Sequence, residues 1–400
     1  MTTTQVTLPV YDADVFAPDA LRYPFEHFRK LRDLGPVVRL SDPDVYVLAR
    51  YDDVRDALRT SDTLINGSGI GFNDDINRVS GPNIIQSDGE LHQRLKVHVL
   101  RPLLPAQLRQ HRQVLRDLIS ARIKSLVDRG PFDAMAEIAR FLPLTAISEL
   151  VGLPEEGRGA MLAWAAATFN AMGPRREGFE ADFRLLGEAR AYLTRLDPAD
   201  LRAGSWAKTL LDAAATGKLT EAEARGALSA YVLPSLDTTI LAKGLLLHNL
   251  ARAPDQWQLL KADPSQISAA VLEGVRHSSV IRWFSRLARA DYSVNGTVIP
   301  AGKRVMLIYA SANRDERKFA NPDDFEITRD AREHLAWGIG VHMCAGMHLA
   351  KLEMEVMLEA LIEHCTSIEA GEPELIANRG LYGFARLPME LWTTKRGASG

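Results

Sequence analysis

The 400-residue chain has little cysteine: two residues, Cys344 and Cys365, both toward the C-terminal end. A disulfide framework or a cysteine-built zinc centre needs more thiols than this. A cytoplasmic protein with reduced cysteines is therefore expected. Charge of one sign is lacking as well. A net charge of −3 and a pI near 6.4 argue against a chain built to sit on nucleic acid or on an anionic membrane. The opening segment, MTTTQVTLPVYDADVF, is polar and acidic. It has neither a basic-then-apolar leader nor an apolar run of bilayer length, so a soluble protein is expected. Internal repeats and low-complexity tracts are absent, and residues 393–400 look like a loose tail. What the chain does have is apolar bulk, 46% of its residues. That suffices for one large domain or two ordinary ones.

Residues 37–51 read as a hairpin, with VVRL and VYVLARY flanking the turn sequence SDPD. Asp52 is expected to cap a short helix through Leu58. Residues 60–87 are rich in Gly, Asn, Asp and Ser. A loop of that length is either a gate over a site or a surface insert. Apolar spacing at i, i+3 and i+4 predicts helices over 89–102, 106–129, 140–151, 157–172, 177–195, 221–252, 265–277 and 345–363. Strand-like pieces return at 280–287, at 292–307 with the turn Asn295-Gly296, and near 381–392. The expected fold class is mainly α with small β-sheets.

The most informative segment is Trp337-Gly338-Ile339-Gly340-Val341-His342-Met343-Cys344-Ala345-Gly346. Glycines allow a tight turn and a close approach of backbone to a flat ligand. An amphipathic helix follows, carrying Leu349, Leu352, Val356 and Leu361. Cys344 is thus expected at a helix N-terminus, where free N–H groups and the dipole favour a thiolate. A lone cysteine is more often a buried, inert one; the glycine frame reverses that preference. A thiolate on haem iron pushes electron density toward O–O cleavage.

Two polar residues, Asp237 and Thr238, interrupt an apolar helical run among Val232, Leu233, Leu236, Ile240 and Leu241. Buried there, they need partners. Pro234 lacks an N–H, so the carbonyl of Ala230 loses its helical donor and a kink is expected. Glu273 and Arg276 share a helix face, as do His92 and Lys96.

The cysteine segment resembles the haem-binding signature of the cytochrome P450 family, Phe-Gly-x-Gly-x-His-x-Cys-x-Gly, with Trp337 where the family has Phe. The other motifs stand in family order from the hairpin to the last strands. The resemblance implies one cytochrome P450 domain over 1–400 and haem b held by Cys344. His92, Lys96 (Arg in the family), Arg286 and His342 would answer the propionates. Asp237 and Thr238 would be the acid–alcohol pair that carries protons to dioxygen. Ser235 stands where the family has a glycine; its hydroxyl would join the water network or bond substrate. Glu273, Arg276 and Arg329 would form a buried structural triad, which must be fully paired to offset desolvation.

By family position the substrate pocket would be lined by Ile84, Phe169, Met172, Val232, Leu233, Ser235, Val280, Trp283 and Phe384. These suit a small hydrophobic or aromatic substrate, although each could equally be core. Phe169-Asn170-Ala171-Met172-Gly173-Pro174 and Ser311-Ala312-Asn313-Arg314-Asp315 are similar to stretches of bacterial members that oxidise para-substituted benzoates. Those members hold the carboxylate with Arg and Ser. Ser229 and Ala230 stand where an Arg-Ser pair is expected, and Asn83 where a Ser is expected. A neutral methoxy-aromatic is therefore favoured over a benzoate. Electrons would come from a separate ferredoxin or flavodoxin-type donor and its reductase, docking on a basic set among Arg94, Lys96, Arg101, Arg109 and Arg112. The chain is expected to be a monomer. A peroxide-driven oxygenase and a non-catalytic haem sensor are the alternatives.

Overall fold

The computed structural model describes residues 8–79 and 81–393. Of the expected tail at 393–400, only Thr393 lies within the described residues. About 53% of the chain is helical. Eight helices position the site: α1 (Gly89–Leu100), α2 (Arg112–Lys124), α3 (Met161–Ala171), α4 (Phe179–Arg195), α5 (Glu221–Val232), α6 (Leu236–Arg252), α7 (Ile267–Ser278) and α8 (Met347–His364).

The central pair is α5 and α6. A capping box opens α5: Thr220 Oγ1 accepts the Glu223 N–H at 3.2 Å, and Glu223 Oε2 accepts the Thr220 N–H at 2.9 Å. The run expected as one helix over 221–252 ends at Val232 and restarts at Leu236, around the proline that cannot donate. Side chains repair the break. Ser235 Oγ donates to Tyr231 O, and Thr238 Oγ1 donates to Pro234 O, both at 2.6 Å. By length and composition residues 221–252 could cross a bilayer, yet 61% of the apolar window is buried in protein. Leu236, Leu246, Leu247 and Leu250 of α6 are fully enclosed. This is the composition of a core helix, packed against α7, α3 and the turn Met135–Ala139.

Beside the helices lies a six-stranded sheet in the order Val10–Tyr11, Val38–Leu40, Val45–Leu48, Arg304–Leu307, Phe284–Ala288, Leu64–Ile65. The expected hairpin forms, with Val38 opposite Val47. Strand Phe284–Ala288 sets Arg286 opposite Val305, so a ladder fixes the direction of that arginine.

Several local expectations change. Asp52 is not a cap: the helix starts at Tyr51, whose N–H donates to Asp315 Oδ2 at 2.8 Å. Residues 60–87 are not one open loop; they contain the short strand Leu64–Ile65 and the helix Asp74–Val79. The run at 106–129 divides into Pro105–Leu108, Arg109–His111 and α2. Helices at Pro18–Arg22, Phe25–Leu34 and Tyr309–Ala312 went unexpected, as did those at Trp206–Ala215 and Pro254–Ala262. For the last two the start signals were present: Ser205 Oγ accepts the Lys208 N–H, and Pro254 opens its helix.

Candidate active site

The cysteine loop closes on itself. The Cys344 N–H donates to Trp337 O at 2.8 Å. Gly338 and Gly340 take φ of 64° and 75°, a region that disfavours residues with a side chain. Cys344 therefore sits just ahead of α8, as expected, and the N–H groups of Gly346 and Met347 point at its sulfur. Burial nevertheless pushes the thiol upward, and those two N–H groups only oppose the shift. Desolvation outweighs the helix end, so the dipole alone does not hold a thiolate here; a coordinated metal would. The sulfur lies deep in the protein but is open to an internal cavity. Cys365 is buried in the core, its thiol pushed up to about 12 by desolvation, and it is inert.

The cavity has a volume of about 810 Å³. Near Cys344 its wall carries His92, Lys96, Arg286 and His342. His92 Nε2 and Lys96 Nζ both converge on Val341 O, at 3.0 and 2.8 Å, while His92 Nδ1 faces Ile84 O at 2.9 Å. A neutral imidazole donates through only one nitrogen, so His92 is offered more acceptors than its neutral form can serve. Arg286 donates to Ser285 O and the Tyr309 hydroxyl at 2.9 and 3.2 Å. Among the described residues, buried His342 Nδ1 has no hydrogen-bond partner; Nε2 lies 3.5 Å from Asp88 Oδ1. Burial lowers the basicity of His342, and Asp88 opposes this. A sulfur donor on one side, donors clustered on one rim and an orphaned imidazole nitrogen fit a flat, iron-bearing dianion such as haem b.

Thr238 is on the cavity wall and Asp237 is not. Burial raises the Asp237 carboxyl to about 7, with Arg140 pulling the other way. The structure thus separates the expected pair: the hydroxyl faces the cavity, while the acid beside it feels Arg140. Ser235 also lines the cavity, but its hydroxyl is spent on Tyr231 O rather than left for water or substrate.

Of the expected pocket residues, Ile84, Phe169, Met172, Leu233, Ser235 and Val280 line the cavity. Val232, Trp283 and Phe384 do not. Val232 faces the core. Trp283 stacks on Phe72 at 4.3 Å and donates to Arg379 O. Phe384 packs on His248 at 5.0 Å. The triad forms in full: Arg276 grips Glu273 through two hydrogen bonds of 2.6 and 2.7 Å, and Arg329 Nε reaches Glu273 Oε1 at 3.1 Å. Asn313 O, Pro322 O and Asp324 O accept further donors of Arg276, so this buried charge group is paired throughout.

Sequence reasoning missed two features. Lys243 of α6 and Glu353 of α8 form a buried pair at 2.5 Å, and Arg190 and Arg225 also line the cavity. The basic set expected for a redox partner is also reduced. Arg94 is paired with Glu223, Arg112 with Glu355 and Glu359, and Lys96 turns to Val341 O. Arg101 and Arg109 stay exposed.

This is the site of a protein that holds haem through a thiolate, and comparison with known proteins agrees. The cytochrome P450 family model matches residues 205–391. The chain is 33% identical over 390 residues to cytochrome P450 CYP199A2 of Rhodopseudomonas palustris, covering 96% of this chain and 95% of that one. It is 32% identical over 386 residues to the beta-dihydromenaquinone-9 omega-hydroxylase of Mycobacterium tuberculosis, covering 94% and 78%. The crystal structure of CYP108D1 from Novosphingobium aromaticivorans superposes with a TM-score of 0.84 at 26% identity, covering 96% and 99%. The chain belongs to the cytochrome P450 family. It is an oxidoreductase of the monooxygenase class, with thiolate-ligated haem as cofactor.

Proposed function

We propose that this monooxygenase hydroxylates a small apolar aromatic substrate, or removes a methyl group from its methoxy substituent. Haem bound at Cys344 supplies reductive activation of dioxygen and transfer of one oxygen atom. The balance is substrate, dioxygen, two electrons and two protons giving oxidised product and water. A methoxy carbon hydroxylated in this way releases formaldehyde and leaves the phenol.

The residues of the chain act around that chemistry. His92, Lys96, Arg286 and His342 hold the propionates. Thr238 presents its hydroxyl oxygen at the cavity wall as an acceptor, since its hydrogen is directed to Pro234 O, and Asp237, poised near neutrality, is the group that would supply the proton. Ile84, Phe169, Met172, Leu233 and Val280 hold the aromatic ring and exclude water. The observation that carries the neutral substrate is at Ser229. Its hydroxyl turns back to Gly226 O at 2.6 Å, and Asn83 Oδ1 is taken by the N–H groups of Ile85 and Gln86. Neither offers a cation to a ring carboxylate. Neutral methoxyphenols should therefore give a larger low-to-high-spin shift than para-substituted benzoates; the reverse order would remove this reading.

One observation favours a second reading. Asp237 is off the cavity wall, and a peroxide-driven oxygenase needs no proton relay. Turnover with peroxide exceeding turnover with dioxygen and a ferredoxin system would select it. Electrons are proposed to come from a separate ferredoxin or flavodoxin-type protein docking near Arg101 and Arg109.

A further inference from the structure

Helices α3 and α4 pack along each other. A groove lies between them, walled by Trp164, Phe183, Gly187, Ala191 and Tyr192. Phe183 and Gly187 also line the cavity that holds Cys344. These two stand one turn apart on α4, so a single ridge of that helix separates groove from cavity. The same closeness holds on α3, where Trp164 lines the groove and Thr168, one turn further on, lines the cavity. The ridge has a gap. At Gly187 there is no side chain, and a Cβ there would meet nothing within 4 Å. Glycine inside a helix weakens it, yet α4 carries one where the two hollows meet.

The groove also holds unmet donors. Trp164 and Tyr192 pack ring to ring, with centroids 5.3 Å apart. Trp164 Nε1 and the Tyr192 hydroxyl are both buried, and neither has a hydrogen-bond partner among the described residues. Buried donors without acceptors are rare and destabilising. The Tyr192 ring rests on the backbone of Gly157, whose φ is 84° and where a side chain would collide with it. Its hydroxyl makes no bond that resists rotation toward the groove, and an acceptor brought between the two rings removes the deficit. The remaining wall carries Arg184, Arg195, Glu156 and Glu188. Two charges of each sign favour a neutral ligand over an ion. Residues 60–87, the expected gate, are tied to the connection between α3 and α4: the Phe72 N–H donates to Met172 O at 2.9 Å, and Arg175 pairs with Asp75 at 3.3 Å. A route over Gly187 leaves those ties in place.

We propose that the groove between α3 and α4 is a second binding site, for a neutral aromatic that carries a hydrogen-bond acceptor, and that this molecule passes from there over Gly187 into the cavity at Cys344. The proposal rests on the aromatic reading above and adds where that substrate binds first.

The test is stopped-flow mixing of the haem-loaded protein with two probes. 4-Methoxyphenol is followed by its spin-state shift, and 4-phenylimidazole by the spectral shift of a nitrogen ligand on iron. An outer site predicts that the observed rate levels off as either probe is raised. Trp164→Phe and Tyr192→Phe should each raise the half-saturating concentration by about fivefold and leave the plateau rate unchanged. Gly187→Leu should slow entry and exit by the same factor, about tenfold, with equilibrium affinity unchanged. The open space at Gly187 and the higher helix propensity of leucine suit that variant to the fold, and the two aromatic variants decide independently of it. Rates that stay linear in probe concentration would overturn the outer site, as would a Gly187→Leu protein with altered affinity and unaltered rates. A plateau whose half-saturation neither aromatic variant moves would overturn it too, because the plateau then reports a rearrangement elsewhere. If 4-phenylimidazole meets these predictions while 4-methoxyphenol gives no spin shift, the aromatic-substrate reading falls and the outer site stands.

Discussion

At the scale of single residues, the site joins groups whose ordinary chemistry burial has changed. Asp237 is the clearest case. Its carboxyl, raised to about 7 by desolvation, binds its proton more tightly folded than unfolded. Folding stability therefore falls as pH rises from the usual carboxylate range toward 7, by about 4 kcal/mol at most. Asp237→Asn should flatten that slope, measured by urea unfolding between pH 4 and 8; an unchanged slope would contradict the assignment. The same substitution should lower dioxygen-driven turnover by about a hundredfold if the carboxyl holds a transferred proton, with little loss of substrate-induced spin shift. Residue scale is also where the sequence misled. Leu233 and Val232 differ by one position, hence by about 100° around the helix, and only Leu233 reaches the cavity. Trp283 sits beside a cavity-lining Phe284, but neighbours in extended chain point to opposite faces. Family position finds the segment; the phase of the element decides which side chain enters.

At the scale of elements, the helix bearing Thr238 is bound to the helix that follows Cys344 through Lys243 and Glu353. Both side chains are almost wholly enclosed, 0% and 2% exposed. Desolvating an ion pair is expensive, and removing one partner strands the other charge. Lys243→Met should destabilise the fold by about 3–5 kcal/mol, whereas Lys243→Met with Glu353→Met should restore most of it. Denaturant midpoints of the two singles and the double check this; additive losses would exclude coupling. No local pattern announced the pair, since 110 residues separate its members. Spacing made only the Glu273–Arg276 pair legible, since the two lie within one helical turn; Arg329, 56 residues from Glu273, came from the family resemblance. The kink at Pro234 was legible too, since a missing N–H is a property of the residue. Its repair by the Ser235 and Thr238 hydroxyls was not, because hydroxyl direction depends on the packed environment.

At the scale of the molecule, the helical core, the edge sheet and the cysteine loop were all readable, since each rests on periodicity, turn chemistry or a contiguous motif. The cavity was not, because its wall is assembled from segments far apart in the chain and only folding brings them together. Surface charge likewise changed meaning once partners were visible: Arg94 and Arg112 are already engaged, leaving Arg101 and Arg109 as exposed cations. Arg109→Glu should slow reduction by an acidic ferredoxin at low salt, with the difference shrinking as ionic strength rises; stopped-flow reduction rates test it. The central claim is that Cys344 ligates haem as a thiolate, against the desolvation that burial imposes on its sulfur. The reduced carbon-monoxide difference spectrum tests it most directly. The wild-type protein should give the long-wavelength band of thiolate ligation, and Cys344→Ser should lose it. A wild-type band at the position of histidine-ligated haem, with His92 or His342 as the ligand instead, would contradict the account.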